Sequence, residues 1–211
     1  MGCPLSYTNP DMDLFAPDPV ENLLPGDGVV NYHGRLLAVE EADAFFTALM
    51  AKVPWKKDEI IMFGKRIMTA REIAWYGDEG LSYTYSGTTK LPLPWSRELL
   101  ELKERVEKAS GEIYNTCLLN LYHHGGEGMS WHSDDEGALV RHSAIGSVSL
   151  GAERKFSLKH KQTRETRSIL LEHGSLLIMK GATQQHWLHS IPKTTRVKTP
   201  RINLTFRQMK W

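Results

Sequence analysis

A strict alternation near the end of the sequence constrains the fold more than any other feature. The segment Arg201–Arg207 places apolar and polar residues in turn without exception. A period of two residues is the signature of a β-strand. The ordinary interpretation is an amphipathic strand with its polar face in water. Two arginines on that face, at the end of a run of strand-like segments, favour a buried anion site instead, because a guanidinium pairs in bidentate fashion with a carboxylate.

Strand-like runs dominate the second half of the chain. They recur at the short spacing typical of a sandwich or barrel, and we place them at Thr116–Tyr122, Ala144–Leu150, Lys155–His160, Ser168–Leu171, Ser175–Met179, Gln185–Ser190 and Arg201–Gln208. Two helices precede them, at Glu40–Lys52 and Ser96–Ala109, and we predict no helix after Gly111. The pattern predicts an α+β, mainly β fold: a double-stranded β-helix (jelly roll) core with N-terminal helices.

Composition sets the domain count and the cellular setting. The 211 residues suffice for one domain, and we predict an extended N-terminal arm at 1–30, rich in Pro, Asp and Gly, before a single domain at 31–211. Cys3 and Cys117 are the only cysteines, which favours a reducing compartment. The N-terminus has no signal-peptide pattern and no apolar run approaches a membrane span. We therefore expect a monomeric cytoplasmic protein (nuclear in a eukaryote) with no membrane partner.

A His-x-Asp pair supplies the first candidate site. His132 and Asp134 are two residues apart, so on an extended strand their side chains point the same way. Two histidines and one carboxylate form the site of non-haem Fe(II) oxygenases. On its own, such a pair is more often a histidine hydrogen-bonded beside a surface acid. His189 is the best candidate for a third ligand and His186 is its rival, although on one strand the two would face opposite ways.

Charge is distributed unevenly along the chain. Residues 154–211 hold 13 Lys or Arg and 2 Asp or Glu, while residues 1–153 hold 13 and 23. Such a basic half is the footprint expected of a phosphate-binding face. A solvated hairpin tip would give the same count.

Taken together, these motifs resemble the AlkB family of Fe(II)/2-oxoglutarate dioxygenases, which repair alkylated nucleobases. The likeness rests on His132-x-Asp134, His189 and the polar positions of Arg201–Arg207. It continues in other ordered motifs across residues 55–211, at Met62–Lys65, Tyr76–Asp78, Leu81–Gly87, Asn120–Tyr122, His173–Leu177 and His186–His189. The nearest likeness is to the branch that acts on double-stranded DNA. Leu121 departs from it, because relatives often carry Arg there; we expect little consequence, since residue 121 faces away from its two neighbours.

The resemblance implies a role for each site residue. It implies a jelly-roll core at about 113–211, a nucleotide-recognition lid at about 55–90, and the cofactors Fe(II), 2-oxoglutarate and O2. The metal ligands would be His132, Asp134 and His189. The cosubstrate would contact Asn120, Tyr122, Asn203 and Thr205, with its distal carboxylate on Arg201 and Arg207. The base pocket would comprise Tyr83, Tyr85, Trp131, Asp135 and Glu136, and DNA would contact Met62, Phe63, Gly64, Lys65, Arg71, Lys159, His160, Lys161 and Arg164.

Simpler explanations remain open for several of these residues. Phe63 before Gly64 is typical of a buried residue at a hairpin, and Tyr83 and Tyr85 are typical of strand packing. The expected activity is oxidative demethylation of 1-methyladenine and 3-methylcytosine in duplex or single-stranded DNA. The alternatives are the same chemistry on RNA or protein, or a nucleic-acid-binding jelly roll without turnover.

Overall fold

The computed structural model describes residues 17–62, 65–85 and 88–211, and describes only the backbone of 58–62, 65–67, 83–85 and 88–90. The strands before the jelly roll are β1 (Val29–Arg35), β2 (Lys56–Met62), β3 (Lys65–Gly77), β4 (Tyr83–Tyr85) and β5 (Thr88–Lys90). The later strands are β6 (Thr116–Tyr122), β7 (Met129–His132), β8 (Ile145–Gly151), β9 (Arg154–His160), β10 (Thr166–Leu171), β11 (Ser175–Lys180), β12 (Trp187–Ile191) and β13 (Arg201–Arg207). The helices are α1 (Val39–Lys52), α2 (Arg97–Ser110) and α3 (Thr183–His186).

The last eight strands form the predicted jelly roll. Among the described residues, a seven-stranded sheet has the order β1-β11-β8-β13-β6-β3-β2, a four-stranded sheet has the order β10-β9-β12-β7, and β4 pairs with β5 in a separate two-stranded sheet. The eight strands β6–β13 therefore divide into two antiparallel sets of four, which is the double-sheet arrangement of a jelly roll. Strands β1, β3 and β2 extend the larger sheet at its two edges.

Two apolar cores hold the layers together. One lies between the larger sheet and helices α1 and α2, and contains Leu119, Leu121, Ile202, Leu204 and Phe206. The other lies between the two sheets and contains Ile145, Leu177, Phe156, Leu158 and Trp187. Because successive residues of a strand face opposite ways, the polar face of β13 is directed into the space between the sheets. The structure also puts Leu121 in the first core, so the departure at that position faces away from the site as expected.

The predicted helices form close to their predicted boundaries. Helix α2 starts after Ser96, whose Oγ accepts a hydrogen bond from Leu99 N at 3.3 Å, and ends at Gly111, which has φ +71°. A left-handed residue of this kind is commonly glycine because it has no Cβ. Among the described helices, none is long and apolar enough to cross a bilayer.

One prediction about helices is wrong. Residues 183–186 form α3, and β12 starts only at Trp187, so His186 is not on the strand that carries His189. A helix of four residues is too short for its periodicity to show in the sequence. Ahead of β1, the buried Leu24 packs in the inter-sheet core, and Trp187 Nε1 donates to Gly26 O at 3.1 Å.

Candidate metal centre and cosubstrate pocket

Strand pairing brings the three predicted metal ligands together. His132 ends β7 and His189 lies in β12, and the two residues are directly opposite in the antiparallel register. Asp134 follows two residues after His132. Its Oδ1 lies 3.6 Å from His132 Nε2 and 3.9 Å from His189 Nε2. Ligand atoms at these separations leave room for one ion between them, with metal–ligand bonds of about 2 Å.

Hydrogen bonds and burial set the protonation states of these three side chains. His132 Nδ1 lies 2.8 Å from Ser130 O, and a carbonyl can only accept, so the proton is on Nδ1 and the lone pair is on Nε2. Burial lowers the pKa of His189 to about 4, although Asp134 opposes that shift. Burial would raise the pKa of Asp134, but Arg207 and then the two histidines outweigh it and hold that pKa below its ordinary value. At neutral pH, His189 is a neutral ligand and Asp134 an anionic one.

Arg207 orients the carboxylate of Asp134. Its Nη2 lies 3.1 Å from Asp134 Oδ2, while Oδ1 faces the two histidines. One oxygen is thereby kept for the metal and the other for the arginine. Partners that orient a metal ligand in this way typically contribute strongly to metal affinity.

The polar face of β13 forms the wall of the cavity beside this centre. Arg201 is fully buried, and its Nη2 donates to Ser149 Oγ at 2.9 Å and to Asn203 Oδ1 at 2.6 Å. Its Nε and Nη1 are buried and have no hydrogen-bond partner among the described residues. Burial lowers the pKa of Arg201 to about 10, so the side chain remains a cation at neutral pH. A buried cation with two unpaired nitrogens is costly unless an anion accepts from them.

All nine predicted metal and cosubstrate residues line a single cavity. These are Asn120, Tyr122, His132, Asp134, His189, Arg201, Asn203, Thr205 and Arg207. The metal ligands lie in this cavity together with Arg201, whose unpaired Nε and Nη1 could donate hydrogen bonds to a carboxylate. The residues present therefore fit both a metal ion and a carboxylate-bearing cosubstrate.

The prediction that Arg201 and Arg207 share one distal carboxylate needs correction. The two residues are six positions apart on β13, which is about 20 Å of strand, and the guanidinium of Arg207 is directed at Asp134. This leaves Arg201 as the anion-binding end of the cavity and Arg207 at the metal end.

Three predicted DNA contacts lie elsewhere than expected. His160 is only 3% exposed, because on β9 it shares the inward face with Phe156 and Leu158, so the prediction that it contacts DNA is wrong. Arg71 Nε donates to Asn120 Oδ1 at 3.0 Å, which places it beside the cosubstrate cavity. Lys161 is half-buried, and its Nζ donates to Ser133 Oγ and Gln184 O at 3.0 and 2.9 Å.

The remaining predicted DNA contacts divide into two groups. Lys159 is partly exposed, and Arg164 is exposed on the turn between β9 and β10, so both remain available to a phosphate. Phe63 and Gly64 lie outside the described residues, and so do the side chains of Met62 and Lys65. Their predicted roles stay predictions.

The predicted base pocket is only partly assembled. Asp135 and Glu136 line a second cavity of ≈ 250 Å³, which shares Asp134 and Arg207 with the first. Trp131 lines neither of these cavities; it is 40% exposed, with Lys159 Nζ 4.3 Å from its ring centre. Trp131 and His132 are neighbours on β7 and face opposite ways, so the structure does not bring the Trp131 ring to the side of the metal ligands, and its role in the base pocket stays a prediction. The side chains of Tyr83 and Tyr85 lie outside the described part of the chain.

Arg154 is a buried residue of this site that sequence reasoning missed. Its guanidinium carbon lies 6.0 Å from the ring centre of Tyr122, and its Nη2 donates to the backbone carbonyls of Gly125, Glu127 and Pro192. It thus ties the loop before β7 to the end of β12. No sequence signal distinguishes it from the surface cations around it.

Ser147 and Ser149 were also missed, but they left a signal. Ser147 Oγ donates to Asn203 Oδ1 at 3.1 Å, and Ser149 accepts from Arg201. Both are polar residues alternating with apolar ones on β8, which is the pattern that identified the face of β13.

A second cluster has the same residue types as the metal centre. The ligand atoms of Asp27, His160 and His186 lie within 4.8 Å of one another. However, His160 Nδ1 accepts hydrogen bonds from the backbone N–H groups of Gln162 and Thr163, at 3.3 and 3.0 Å. The proton of the neutral ring is then on Nε2, the nitrogen that faces Asp27 at 3.3 Å. This ring offers no lone pair toward the cluster, so we do not assign a metal to it.

The jelly roll and the site define the class of protein. The family described as the 2OG-Fe(II) oxygenase superfamily matches residues 28–207. In three dimensions, the solved structure of OsALKBH1 aligns with a TM-score of 0.58 over 88% of this chain and 98% of that one, at 14% identity. That likeness concerns the fold alone.

Curated relatives narrow the class. Bovine alpha-ketoglutarate-dependent dioxygenase alkB homolog 3 is 42% identical over 179 residues, which cover 80% of this chain and 62% of the bovine protein. Mouse DNA oxidative demethylase ALKBH2 is 41% identical over 179 residues, covering 81% and 72%. The Arabidopsis thaliana DNA oxidative demethylase ALKBH2 is 33% identical over 203 residues, covering 83% and 65%. The chain therefore belongs to the AlkB family within this superfamily, although it spans only about three fifths of the bovine relative.

Proposed function

We propose that this chain is an Fe(II)- and 2-oxoglutarate-dependent dioxygenase that demethylates alkylated nucleobases in DNA. The observation that carries the proposal is Arg201, a buried cation in the same cavity as His132, Asp134 and His189, whose Nε and Nη1 have no acceptor among the described residues. A carboxylate anchored there can extend a second acidic group toward the metal ligands. The names of the curated relatives, DNA oxidative demethylase among them, support nucleic acid as the substrate.

The chain's own residues bind and orient the reactants. His132, Asp134 and His189 would hold Fe(II), and Arg201 would hold the distal carboxylate of 2-oxoglutarate, with Asn120, Tyr122, Asn203 and Thr205 around it. Arg207 keeps Asp134 ionised and correctly directed. Bound iron, together with 2-oxoglutarate and O2, supplies the oxidation of an N-methyl group to a hydroxymethyl group, which is lost as formaldehyde with succinate and CO2 as coproducts.

The second cavity supports a cationic base as the substrate. Methylation gives 1-methyladenine and 3-methylcytosine a positive charge. Asp135 and Glu136, which are acidic, line the cavity that adjoins Asp134. Glu136 Oε1 lies 3.9 Å from Arg207 Nη1, so the acidic edge reaches the metal end of the first cavity. A base that enters there must leave the stack, as enzymes acting on bases in duplexes require.

Release of formaldehyde from methylated DNA tests the proposal. We expect release from a 1-methyladenine oligonucleotide only when Fe(II) and 2-oxoglutarate are both present. The same assay on a matched RNA and a methylated histone peptide tests the two alternative substrates. Equal turnover on RNA would reassign the nucleic acid, and turnover on the peptide alone would overturn the proposal.

A further inference from the structure

We propose that Lys161 is a positioning residue of the metal centre, cross-linking the loop that carries Asp134 to the segment that leads into His189. Lys161 follows directly after β9. Its charge and position at a hairpin suggest a phosphate contact, but its contacts point inward.

The ammonium group of Lys161 joins two separate parts of the site. Its Nζ donates to Ser133 Oγ at 3.0 Å and to Gln184 O at 2.9 Å. Ser133 lies between the two metal ligands of the His-x-Asp motif, and Gln184 lies in α3, five residues before His189. The side chain of Gln184 also contacts the loop that carries Asp134, because its Oε1 accepts a hydrogen bond from Asp134 N at 2.9 Å. Lys161, Ser133, Asp134 and Gln184 thus form a closed ring of contacts.

The backbone of Lys161 reinforces the same connection. Its N–H donates to His186 O at 2.8 Å, so both ends of the residue are fixed to the chain just before β12. The carboxylate of Asp135 is also close to the ammonium group, with its Oδ2 3.8 Å from Nζ. Binding a phosphate would require Lys161 to give up these contacts. Lys159, two residues earlier, has no such partners among the described residues, and its ammonium lies over the exposed Trp131 ring.

Loss of this cross-link should be measurable as weaker metal binding. Partners one step behind the ligands typically change metal affinity by about 10–100-fold when removed. Without Lys161, Ser133 and Gln184 lose their common donor, and the hydrogen bond from Asp134 N to Gln184 Oε1 is left to join the two segments. The inference concerns the metal centre, so it is independent of which substrate the proposed function acts on.

The test is an anaerobic Co(II) titration of the whole chain, followed by the visible absorption of the bound ion. We expect Lys161→Met to weaken Co(II) binding about 10-fold or more. Lys159→Met is the matched control, since it removes the same charge two residues earlier, and it should stay within about 2-fold of wild type. A Lys161→Met/Ser133→Ala double variant should lose less than the sum of the two single variants, because both remove the same contact.

A second readout separates the two roles of the lysine. When a lysine that contacts a phosphate is removed, the plot of log affinity for DNA against log salt concentration becomes less steep by about one unit. We expect this change in Lys159→Met and not in Lys161→Met. Unchanged Co(II) affinity in folded Lys161→Met would overturn the inference alone, whereas a wild-type chain that binds no Co(II) would overturn the metal centre itself. Should Lys161→Met fail to fold, unchanged Co(II) affinity in Ser133→Ala would overturn the inference.

Discussion

The described part of the chain contains two clusters of two histidines and one aspartate, and of these two only the cluster around Asp134 has the hydrogen bonds of a metal site. In the first, the carboxylate of Asp134 is 6% exposed and paired with Arg207, and His132 donates its Nδ1 proton to a carbonyl. In the second, the carboxylate of Asp27 is 64% exposed, and His160 accepts two backbone N–H groups at Nδ1. The two clusters contain the same residue types, and the ligand atoms of each lie within 4.8 Å of one another. They differ in the hydrogen bonds made by the Nδ1 atoms of His132 and His160.

The comparison shows that the tautomer decides which cluster can ligate. A histidine whose Nδ1 donates to a carbonyl presents a lone pair at Nε2, and one whose Nδ1 accepts presents a proton there. Proximity of three ligand residues is therefore insufficient to identify a metal centre. The second cluster instead connects the segment before β1 to the start of the β9–β10 turn.

Removing the carboxylate from each cluster should separate them most clearly. Asp134→Ala should abolish formaldehyde release and metal binding, because one of three ligands is lost. Asp27→Ala should leave both within about 2-fold of wild type. Formaldehyde yield and bound iron per chain are the measurements, and thermal unfolding checks that each variant is folded. Wild-type turnover by Asp134→Ala would remove the metal assignment.

The proposed anion site at Arg201 shares a cavity with the first cluster, and a substitution of Arg201 tests it. Arg201→Met should weaken 2-oxoglutarate binding by roughly 2–5 kcal/mol, about 30-fold or more, because the buried carboxylate loses its partner. Binding of Co(II) without 2-oxoglutarate should be nearly unchanged. Arg164→Met, on the exposed turn, is the control. An unchanged apparent affinity for 2-oxoglutarate would place the distal carboxylate elsewhere.

The sequence predicted the parts of the site that depend on strand alternation. The alternation of Arg201–Arg207 correctly directed its polar face inward, and the motif residues of the first cavity could all be named from the resemblance. The errors concern residues whose partners are far away in sequence. His160 and Lys161 were predicted to contact DNA, because nothing at their positions in the sequence shows the backbone groups and loops that fold against them. Arg154 was missed for the same reason.

The second cluster should contribute to stability and not to chemistry. His160→Leu removes the acceptor for the N–H groups of Gln162 and Thr163, and should cost about 1–3 kcal/mol of unfolding free energy. His160→Asn keeps an acceptor oxygen near the position of Nδ1 and should therefore lose less unfolding free energy than His160→Leu. Chemical denaturation provides the measurement, with Co(II) affinity unchanged in both variants. Loss of Co(II) binding in His160→Asn would mean that the second cluster holds a metal after all.

Acidification of the metal-free protein should affect the first cluster through His189. Its pKa of about 4 in the folded chain lies below the roughly 6.5 of an unfolded histidine. The unfolded chain therefore binds more protons between these values, and stability falls as the pH drops from about 7 toward 4. The Tm of the apo form should decrease by several degrees, and His189→Asn should show a shallower decrease. Parallel pH profiles for the two proteins would contradict this.

The number of metal ions bound per chain tests the central comparison most directly. Equilibrium dialysis of the intact wild-type chain against Co(II) at low micromolar concentration, with metal and protein both quantified, gives this number. The account predicts one ion per chain, retained in Asp27→Ala and lost in Asp134→Ala. Two ions per chain, or one ion that is lost in Asp27→Ala and retained in Asp134→Ala, would contradict it.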